Sequence, residues 1–197
     1  LLKETVEMIE REEGSADAIP TDVTDGGQVA DLVGETVRRH GGLHVAVNNA
    51  GMLGPHRPLA DLDEESWNRL VATNLTGTWL CMKHEIRHMR AHGGGVIVNV
   101  ASTIGAHLTL PMLGAYAATK AAIGTLTRAA AKENIAHGIR INAASPGPVD
   151  TPMSRLPGET DADRDARISA VVPMGRVATT AEIAEAIVWL ASPASSY

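Results

Sequence analysis

Three side chains that could move a proton lie between positions 102 and 120. Tyr116 and Lys120 are four residues apart in an alanine-rich, helix-favouring segment, so they should share one helical face. Tyrosine titrates near pH ~10, and a nearby positive charge favours its ionised form and lowers its pKa. Ser102 follows an apolar, strand-like run and can turn its hydroxyl toward the same point. Together these residues could exchange a proton with a substrate oxygen and bind that oxygen.

The same spacing also has a purely structural interpretation. A tyrosine four residues before a lysine occurs by chance on many helices, where the phenol packs in the core and the ammonium is solvated. To choose between the two interpretations, we consider the strands and helices that the rest of the sequence predicts around these side chains.

Strands and helices alternate along the chain. Strands are predicted at residues 18–21, 43–48, 96–100 and 139–143. Helices are predicted at 2–13, 25–40, 63–90, around Tyr116 and at 181–190, with Asp25 as an N-cap and Gly41 as a helix end. This alternation predicts an α/β fold with a parallel sheet covered by helices on both faces. Residues 153–175 are polar and interrupted by Gly and Pro, which predicts a mobile flap that contains a short helix.

Composition excludes several classes of protein. The chain has 197 residues, of which 44% are hydrophobic, and this suits one globular domain over residues 1–197. The net charge is −6 and basic residues are scattered, so no nucleic-acid partner is expected. No apolar run approaches the ~20 residues that span a membrane. The single cysteine, Cys81, predicts a packed core thiol, no disulfide and a cytoplasmic location.

Polar or small residues follow each predicted strand. They are Asp22, the run from Asn48 to Gly51, Ser102, and the pair Pro146-Gly147. In open parallel α/β sheets, ligands bind beyond the carboxyl ends of the strands. Although turn chemistry alone could explain any one of them, together they predict a single site.

The order of these motifs resembles that of the short-chain dehydrogenases/reductases, over nearly the whole chain. The matching segments are Asp22-Val23-Thr24-Asp25, Asn48-Asn49-Ala50-Gly51, Asn74-Leu75-Thr76-Gly77, Ser102-x-x-Gly105, Tyr116-x-x-x-Lys120 and Pro146-Gly147-x-Val149-x-Thr151. The resemblance implies a Rossmann-type, doubly wound parallel sheet that binds NAD or NADP. It also implies a homo-oligomer, a tetramer or dimer, that pairs through the helices carrying Asn74 and Tyr116.

The resemblance also implies a role for each motif residue. Tyr116 would be the general acid/base, Ser102 would hold the substrate oxygen, and Lys120 would bind the nicotinamide ribose and lower the tyrosine pKa. Asn74 would support a water in a proton relay. The implied contacts are Asp22 and Val23 at the adenine, Asn48, Ala50 and Gly51 beside the cofactor, and Pro146, Gly147, Val149 and Thr151 near the nicotinamide.

The implied reaction interconverts a secondary alcohol and a ketone by hydride transfer, with small molecules as substrates. The expected lining is mostly apolar or small, which favours an uncharged alcohol, a ketone or a 3-oxoacyl group over a phosphorylated sugar. Sugar oxidation, enoyl reduction, dehydration, epimerisation and a non-catalytic, cofactor-binding role remain alternatives. By resemblance, enoyl reductases of this superfamily usually space the tyrosine and the lysine more widely, so the three residues between Tyr116 and Lys120 argue against enoyl reduction. Non-catalytic relatives tend to lose the tyrosine or the lysine, so the presence of both argues against the non-catalytic role.

The sequence departs from the family pattern at both ends. No Gly-rich phosphate loop precedes the first helix, and the first two strands and the last strand of the family have no counterpart. In the family, the residue that selects NAD or NADP lies at the end of the second strand, which has no counterpart here. The choice between NAD and NADP therefore stays open. We expect the chain alone to be unstable or to be part of a longer protein.

Some chemically capable residues have a structural explanation. His84 and His88 are expected on an exposed helix face rather than at a metal, and no metal site is predicted. Trp67, Trp79 and Trp189 are expected in the core or in subunit contacts.

Overall fold

The computed structural model describes residues 2–156 and 158–196. Its helices are α1 (Leu2–Arg11), α2 (Gly26–His40), α3 (Glu64–Leu70), α4 (Gly77–Ala91), α5 (Thr103–Ala106), α6 (Gly114–Asn134), α7 (Asp161–Ser169) and α8 (Thr180–Ala191). Its strands are β1 (Val45–Asn48), β2 (Gly95–Val100) and β3 (Ile139–Ala144). Short 3-10 turns occupy Leu59–Asp61, Ile135–His137, Pro152–Ser154 and Pro193–Ser195.

The sheet of the described residues is parallel, in the order β1-β2-β3. Helices α4 and α6 pack on one face, where Met82 and Met89 meet Ile97, Ile139 and Ile141 in the main core. Helix α8 contacts β2 and β3. The predicted strands 43–48, 96–100 and 139–143 and the parallel α/β architecture are confirmed.

The prediction of a strand at residues 18–21 was wrong. This segment is irregular in the structure, and its backbone pairs with no strand among the described residues. An extended segment becomes a strand only when a neighbour satisfies its N–H and C=O groups. Apolar composition alone does not supply that neighbour.

Local capping signals define the helix ends correctly. The Asp25 carboxylate accepts hydrogen bonds from the backbone N–H groups of Gly27 at 2.8 Å and Gln28 at 3.2 Å, which begins α2. Gly41 ends this helix with a φ of 80°, a left-handed conformation that glycine adopts without steric cost.

The long helical region from 63 to 90 is confirmed, but it is not uniform. Between α3 and α4, residues Val71–Thr76 form a π-helical turn with Asn74 inside it. Such insertions are frequent at functional sites, because they break the regular i→i−4 bonding of the helix. The helical periodicity of the sequence did not reveal this turn.

Gly105 allows α5 to lie against α6. Its φ is +97°, and a Cβ added there would lie 2.2 Å from the carbonyl oxygen of Ala117. A larger residue would therefore push the turn that follows Ser102 away from the helix that carries Tyr116.

The three tryptophans lie at the surface rather than in the core, since Trp67, Trp79 and Trp189 are 41%, 47% and 53% exposed. The alternative expectation, that they form subunit contacts, stays a prediction. Cys81 is a buried free thiol, as predicted, and burial raises its pKa to about 12. No helix among the described residues has the length and apolar character needed to cross a bilayer.

Replacing Gly105 with alanine should destabilise the chain by about 1–3 kcal/mol, because the new Cβ clashes with a backbone carbonyl at a left-handed position. The matched control is Gly124→Ala on α6, where the added Cβ meets only the end of the Arg128 side chain, at 3.5 Å. This control should be neutral or stabilising by up to about 1 kcal/mol. Urea denaturation of both variants measures the difference, and equal midpoints would contradict the proposed contact.

Candidate active site

Ser102, Tyr116 and Lys120 meet at the carboxyl end of β2. All three are buried, with exposed fractions of 7%, 7% and 5%. The Lys120 ammonium donates a hydrogen bond to the carbonyl of Val100 at 2.7 Å and lies 5.8 Å from the centre of the Tyr116 ring. The Ser102 hydroxyl accepts a hydrogen bond from the backbone N–H of Ile104 at 3.1 Å, which begins α5.

Burial dominates the electrostatics of these groups. It raises the pKa of Tyr116, and a hydrogen bond with the Ser102 side chain opposes that rise only in part. Burial also lowers the pKa of Lys120 to about 8. The prediction that Lys120 lowers the tyrosine pKa was therefore wrong for the chain by itself, because desolvation of the phenol outweighs the effect of its neighbours.

Asn74 joins the segment after β1 to the helix that carries Tyr116. Its side-chain amide pairs with the backbone of Met52 in both directions, at 2.8 Å each, and donates to the Thr119 hydroxyl at 3.2 Å. That hydroxyl donates to the carbonyl of Tyr116 at 2.8 Å. The side chain thus positions two backbone segments, while its role in a water relay stays a prediction.

Asn48 directs its amide into the core. The two hydrogen bonds of its Nδ2 group go to Glu85 at 3.0 Å and to Asn99 at 2.9 Å. Both protons of its side-chain amide are therefore used within the protein, and a contact of Asn48 with the cofactor stays a prediction. Ala50 and Gly51 follow in the loop, where a Cβ added at Gly51 would lie 3.5 Å from Lys120 Nζ and 3.4 Å from Asn74 Oδ1.

The segment from Pro146 to Thr151 lies beside the turn that contains Ser102. The backbone N–H of Thr103 donates to the carbonyl of Pro146 at 3.0 Å. Gly147 is open, since a Cβ added there would meet nothing within 4 Å. Val149 forms an isolated parallel bridge with Ala178, and the Thr151 hydroxyl donates to the carbonyl of Val149 at 3.4 Å.

The two remaining residues with a predicted cofactor contact, Asp22 and Val23, lie in the segment before α2. The Asp22 carboxylate accepts hydrogen bonds from the backbone and the hydroxyl of Thr24 at 2.9 Å and 2.8 Å, so it shapes a turn. Val23 packs against the cluster of Val29, Leu80 and Cys81. Within the described residues, the hydrogen bonds of Asp22 and the core packing of Val23 do not involve Tyr116 or Lys120, and their adenine role stays a prediction.

The geometry suits a ligand rich in hydroxyl oxygens. Among the described residues, the Lys120 ammonium has one hydrogen-bond acceptor, the Val100 carbonyl, although it carries three donors. A buried ammonium beside Gly51 suits a ligand that offers oxygen acceptors, and its contact with the nicotinamide ribose stays a prediction. No group of three His, Cys, Asp or Glu side chains in residues 2–156 and 158–196 could hold a metal.

Two residues that are hydrogen-bonded to motif asparagines were not singled out from the sequence. Glu85, which accepts from Asn48, was indistinguishable from the surface charges of an amphipathic helix. Thr119, which links Asn74 to Tyr116, precedes Lys120 directly and could have been found from that spacing alone.

Comparisons with known proteins agree with this geometry. A family model described as enoyl-(acyl carrier protein) reductase matches residues 1–197. Cis-4-hydroxycyclohexanecarboxylate dehydrogenase of Sinomonas cyclohexanicum is 46% identical over 91% of this chain and 70% of its own length. The 2,5-dichloro-2,5-cyclohexadiene-1,4-diol dehydrogenase of Sphingobium indicum is 40% identical over 93% of this chain and 74% of its own length.

A solved structure extends the likeness to the fold. Gluconate 5-dehydrogenase from Burkholderia cenocepacia, in complex with NADP and tartrate, superposes with a TM-score of 0.89 at 31% identity. The match covers 98% of this chain and 74% of that one. The fold and the site thus define a nicotinamide-dependent oxidoreductase of the Rossmann type. The chain belongs to the short-chain dehydrogenase/reductase family.

The affinity for NADH or NADPH should fall as the pH rises above about 8, where Lys120 loses its charge. A charge-assisted hydrogen bond is roughly twice as strong as a neutral one, so the neutral amine should hold the ribose less well. Fluorescence titration of the cofactor at several pH values measures this. Lys120→Met should bind weakly with no such decline, while the exposed Lys132→Met control should follow the unchanged chain. A decline that persists in Lys120→Met would contradict this role.

Proposed function

We propose that this protein oxidises, reversibly, a secondary alcohol on a six-membered carbocyclic ring, with Tyr116 as the general acid/base. The class of activity is that of its family, an NAD(P)-dependent interconversion of a secondary alcohol and a ketone. The observation that carries the proposal is the burial of Ser102, Tyr116 and Lys120 together at the end of β2. Chemistry of this kind needs a proton acceptor beside an oxygen-binding group. Tyr116 supplies the first and Ser102 the second.

In this proposal the protein supplies the proton transfer and the orientation. The bound nicotinamide takes or gives the hydride, which is the chemistry of the cofactor itself. Tyr116 removes the hydroxyl proton in oxidation and returns it in reduction. Ser102 donates a hydrogen bond to the same substrate oxygen, where negative charge gathers in the transition state. Lys120 holds the nicotinamide ribose.

The ring specificity rests on relatives and on the residues near the site. Both named relatives act on hydroxyl groups of six-membered rings, as their names state. In this chain, Leu108, Leu110 and Met112 lie between α5 and α6 and are 43%, 45% and 47% exposed. Exposed apolar side chains in the segment between the Ser102 turn and the Tyr116 helix suit a carbocyclic ring better than a polyol.

We further propose that residues 153–175 form a substrate-binding flap of the single domain. Within this segment, the Arg164 side chain is 5% exposed and pairs with Asp150 at 2.6 Å. The backbone bridge of Val149 with Ala178 closes the base of the segment. The flap is thereby tied to the Pro146–Thr151 segment on the proposed nicotinamide side.

The proposed quaternary structure is a homo-oligomer that pairs through α4 and α6. An apolar groove of about 500 Å³ lies between these helices, and Trp79 contributes its exposed ring. The other lining residues are Leu75, Thr76, Ala122, Thr125 and Leu126. The same proposal places the protein in the cytoplasm, where the reduced Cys81 thiol is the ordinary state.

Tyr116→Phe should reduce turnover by about 10²–10⁴-fold, because proton transfer is lost, while NADH or NADPH binding should remain. Initial rates are measured with 4-hydroxycyclohexanecarboxylate, cyclohexanol, gluconate and a crotonyl thioester. Oxidation of the ring alcohols alone supports the proposal. Reduction of the thioester would favour the enoyl reductase alternative, turnover of gluconate the sugar alternative, and unchanged rates in the variant would remove Tyr116 from the mechanism.

Trp79→Glu should shift the protein toward monomers, because it places a charge in the apolar groove. The matched control is Met8→Glu on α1, where the replaced side chain is also apolar and is 64% exposed. Light scattering after size exclusion gives the mass of each. An oligomer that survives Trp79→Glu unchanged would place the interface elsewhere.

A further inference from the structure

A buried carboxyl group lies beneath the active-site segments. Glu85 on α4 is 7% exposed, and its Oε2 atom accepts a hydrogen bond from Asn48 Nδ2 at 3.0 Å. Among the ion pairs of the described residues, none includes Glu85. Burying a carboxylate without a cation is costly. An apolar side chain at this position would avoid that cost, but it could not accept the hydrogen bond from Asn48.

The Asn48 side chain belongs to a chain of directed hydrogen bonds. It lies opposite Asn99 in the sheet register and donates to that amide at 2.9 Å. Asn99 donates to the Thr127 hydroxyl at 2.9 Å, which donates to the carbonyl of Ile123 at 2.8 Å. Because Asn99 occupies one proton of the Asn48 amide, removal of the Glu85 carboxyl would leave the other, at a half-buried position, without its protein acceptor.

This network touches both backbone segments that flank Lys120. Asn48 directly precedes Asn49-Ala50-Gly51, and a Cβ at Gly51 would lie 3.5 Å from Lys120 Nζ. Asn99 directly precedes Val100, whose carbonyl accepts the Lys120 ammonium at 2.7 Å. A shift of Asn48 would therefore move the loop that faces the ammonium.

We propose that Glu85 is a positioning residue of the active site, which holds the 49–51 segment against Lys120 through Asn48 and thereby sets the affinity for the dinucleotide. The proposal depends on the proposed function, because it assumes that the dinucleotide binds beside this segment. Glu85 contacts neither Tyr116 nor Ser102, so it should affect cofactor affinity more than the proton transfer.

The charge of Glu85 gives the proposal a distinctive signature. Burial raises the pKa of Glu85 to about 7, and the hydrogen bond from Asn48 opposes this rise. The titratable neighbour on α4 is the Cys81 thiol, which stays protonated because burial, and then the charge of Glu85, raise its pKa to about 12. The sheet presents the amides of Asn48 and Asn99, and α6 presents the Thr127 hydroxyl, none of which titrates in this range.

The direction of the pH effect follows from hydrogen-bond strength. An ionised carboxylate accepts the Asn48 proton more strongly than a neutral acid does, so the 49–51 segment should be held more firmly above pH 7 than below it. Cofactor affinity should accordingly rise between about pH 6 and 7.5, opposite in sign to the loss expected at Lys120 above pH 8.

The test compares the unchanged chain with Glu85→Gln, Glu85→Leu and the exposed control Glu133→Gln. Hydrogen–deuterium exchange of residues 49–53 is measured without ligand, and NADH and NADPH are titrated between pH 6 and 9. Glu85→Leu should exchange faster at 49–53 and bind about five- to tenfold more weakly, from the unpaired Asn48 proton. Glu85→Gln keeps a neutral acceptor, so it should bind across this range as the unchanged chain does near pH 6, without the rise between pH 6 and 7.5. Glu133→Gln should change nothing.

Three outcomes would overturn the proposal. Glu85→Gln could retain the full rise with pH, Glu85→Leu could exchange and bind as the unchanged chain does, or its faster exchange could spread evenly over the molecule. The last result would make Glu85 a residue of general stability only. If Glu85→Leu does not fold, the Glu85→Gln comparison decides. If the unchanged chain binds neither dinucleotide, the proposed function fails, while exchange at 49–53 still tests the contact.

Discussion

The hydrogen bond from the Lys120 ammonium to the carbonyl of Val100 is the contact on which the site depends. It joins α6 to the end of β2, so it fixes Tyr116, one helical turn earlier, relative to Ser102. The bond also places a charge where water is scarce, and its cost appears in the lowered pKa of the lysine. A ligand that supplies further oxygen acceptors would offset that cost. The site is therefore built to be completed by what it binds.

Much of this arrangement could be predicted from the sequence, because it depends on local signals. Asp25 and Gly41 define α2 through bonds to neighbouring residues, and the strand positions follow from apolar runs between helices. The spacing of Tyr116 and Lys120 is a property of one helix. Parallel strand order then brings the strand ends together. Ser102, Gly51 and Pro146 consequently lie where the motifs predict.

The errors share a different origin, since each depends on a distant partner. The segment 18–21 is not a strand because no strand lies beside it among the described residues. The pKa of Tyr116 moves upward because burial, which no spacing reveals, outweighs the polar neighbours. The π-helical turn around Asn74 likewise has no periodic signature. Tertiary surroundings determine these properties, and a one-dimensional pattern contains them only indirectly.

The asparagines of the site bind protein groups on either side of the 49–51 loop. Asn74 binds the backbone of Met52 in both directions, and Asn48 binds two side chains in the core. Asn48 therefore holds the start of the 49–51 loop, and Asn74 holds its end through Met52. Gly51 lies within that loop and has no side chain of its own. Buried polar bonds are strong only when every donor is paired. The 49–51 loop can therefore be rigid even around a glycine, provided that the side-chain amides of Asn48 and Asn74 keep all their hydrogen bonds.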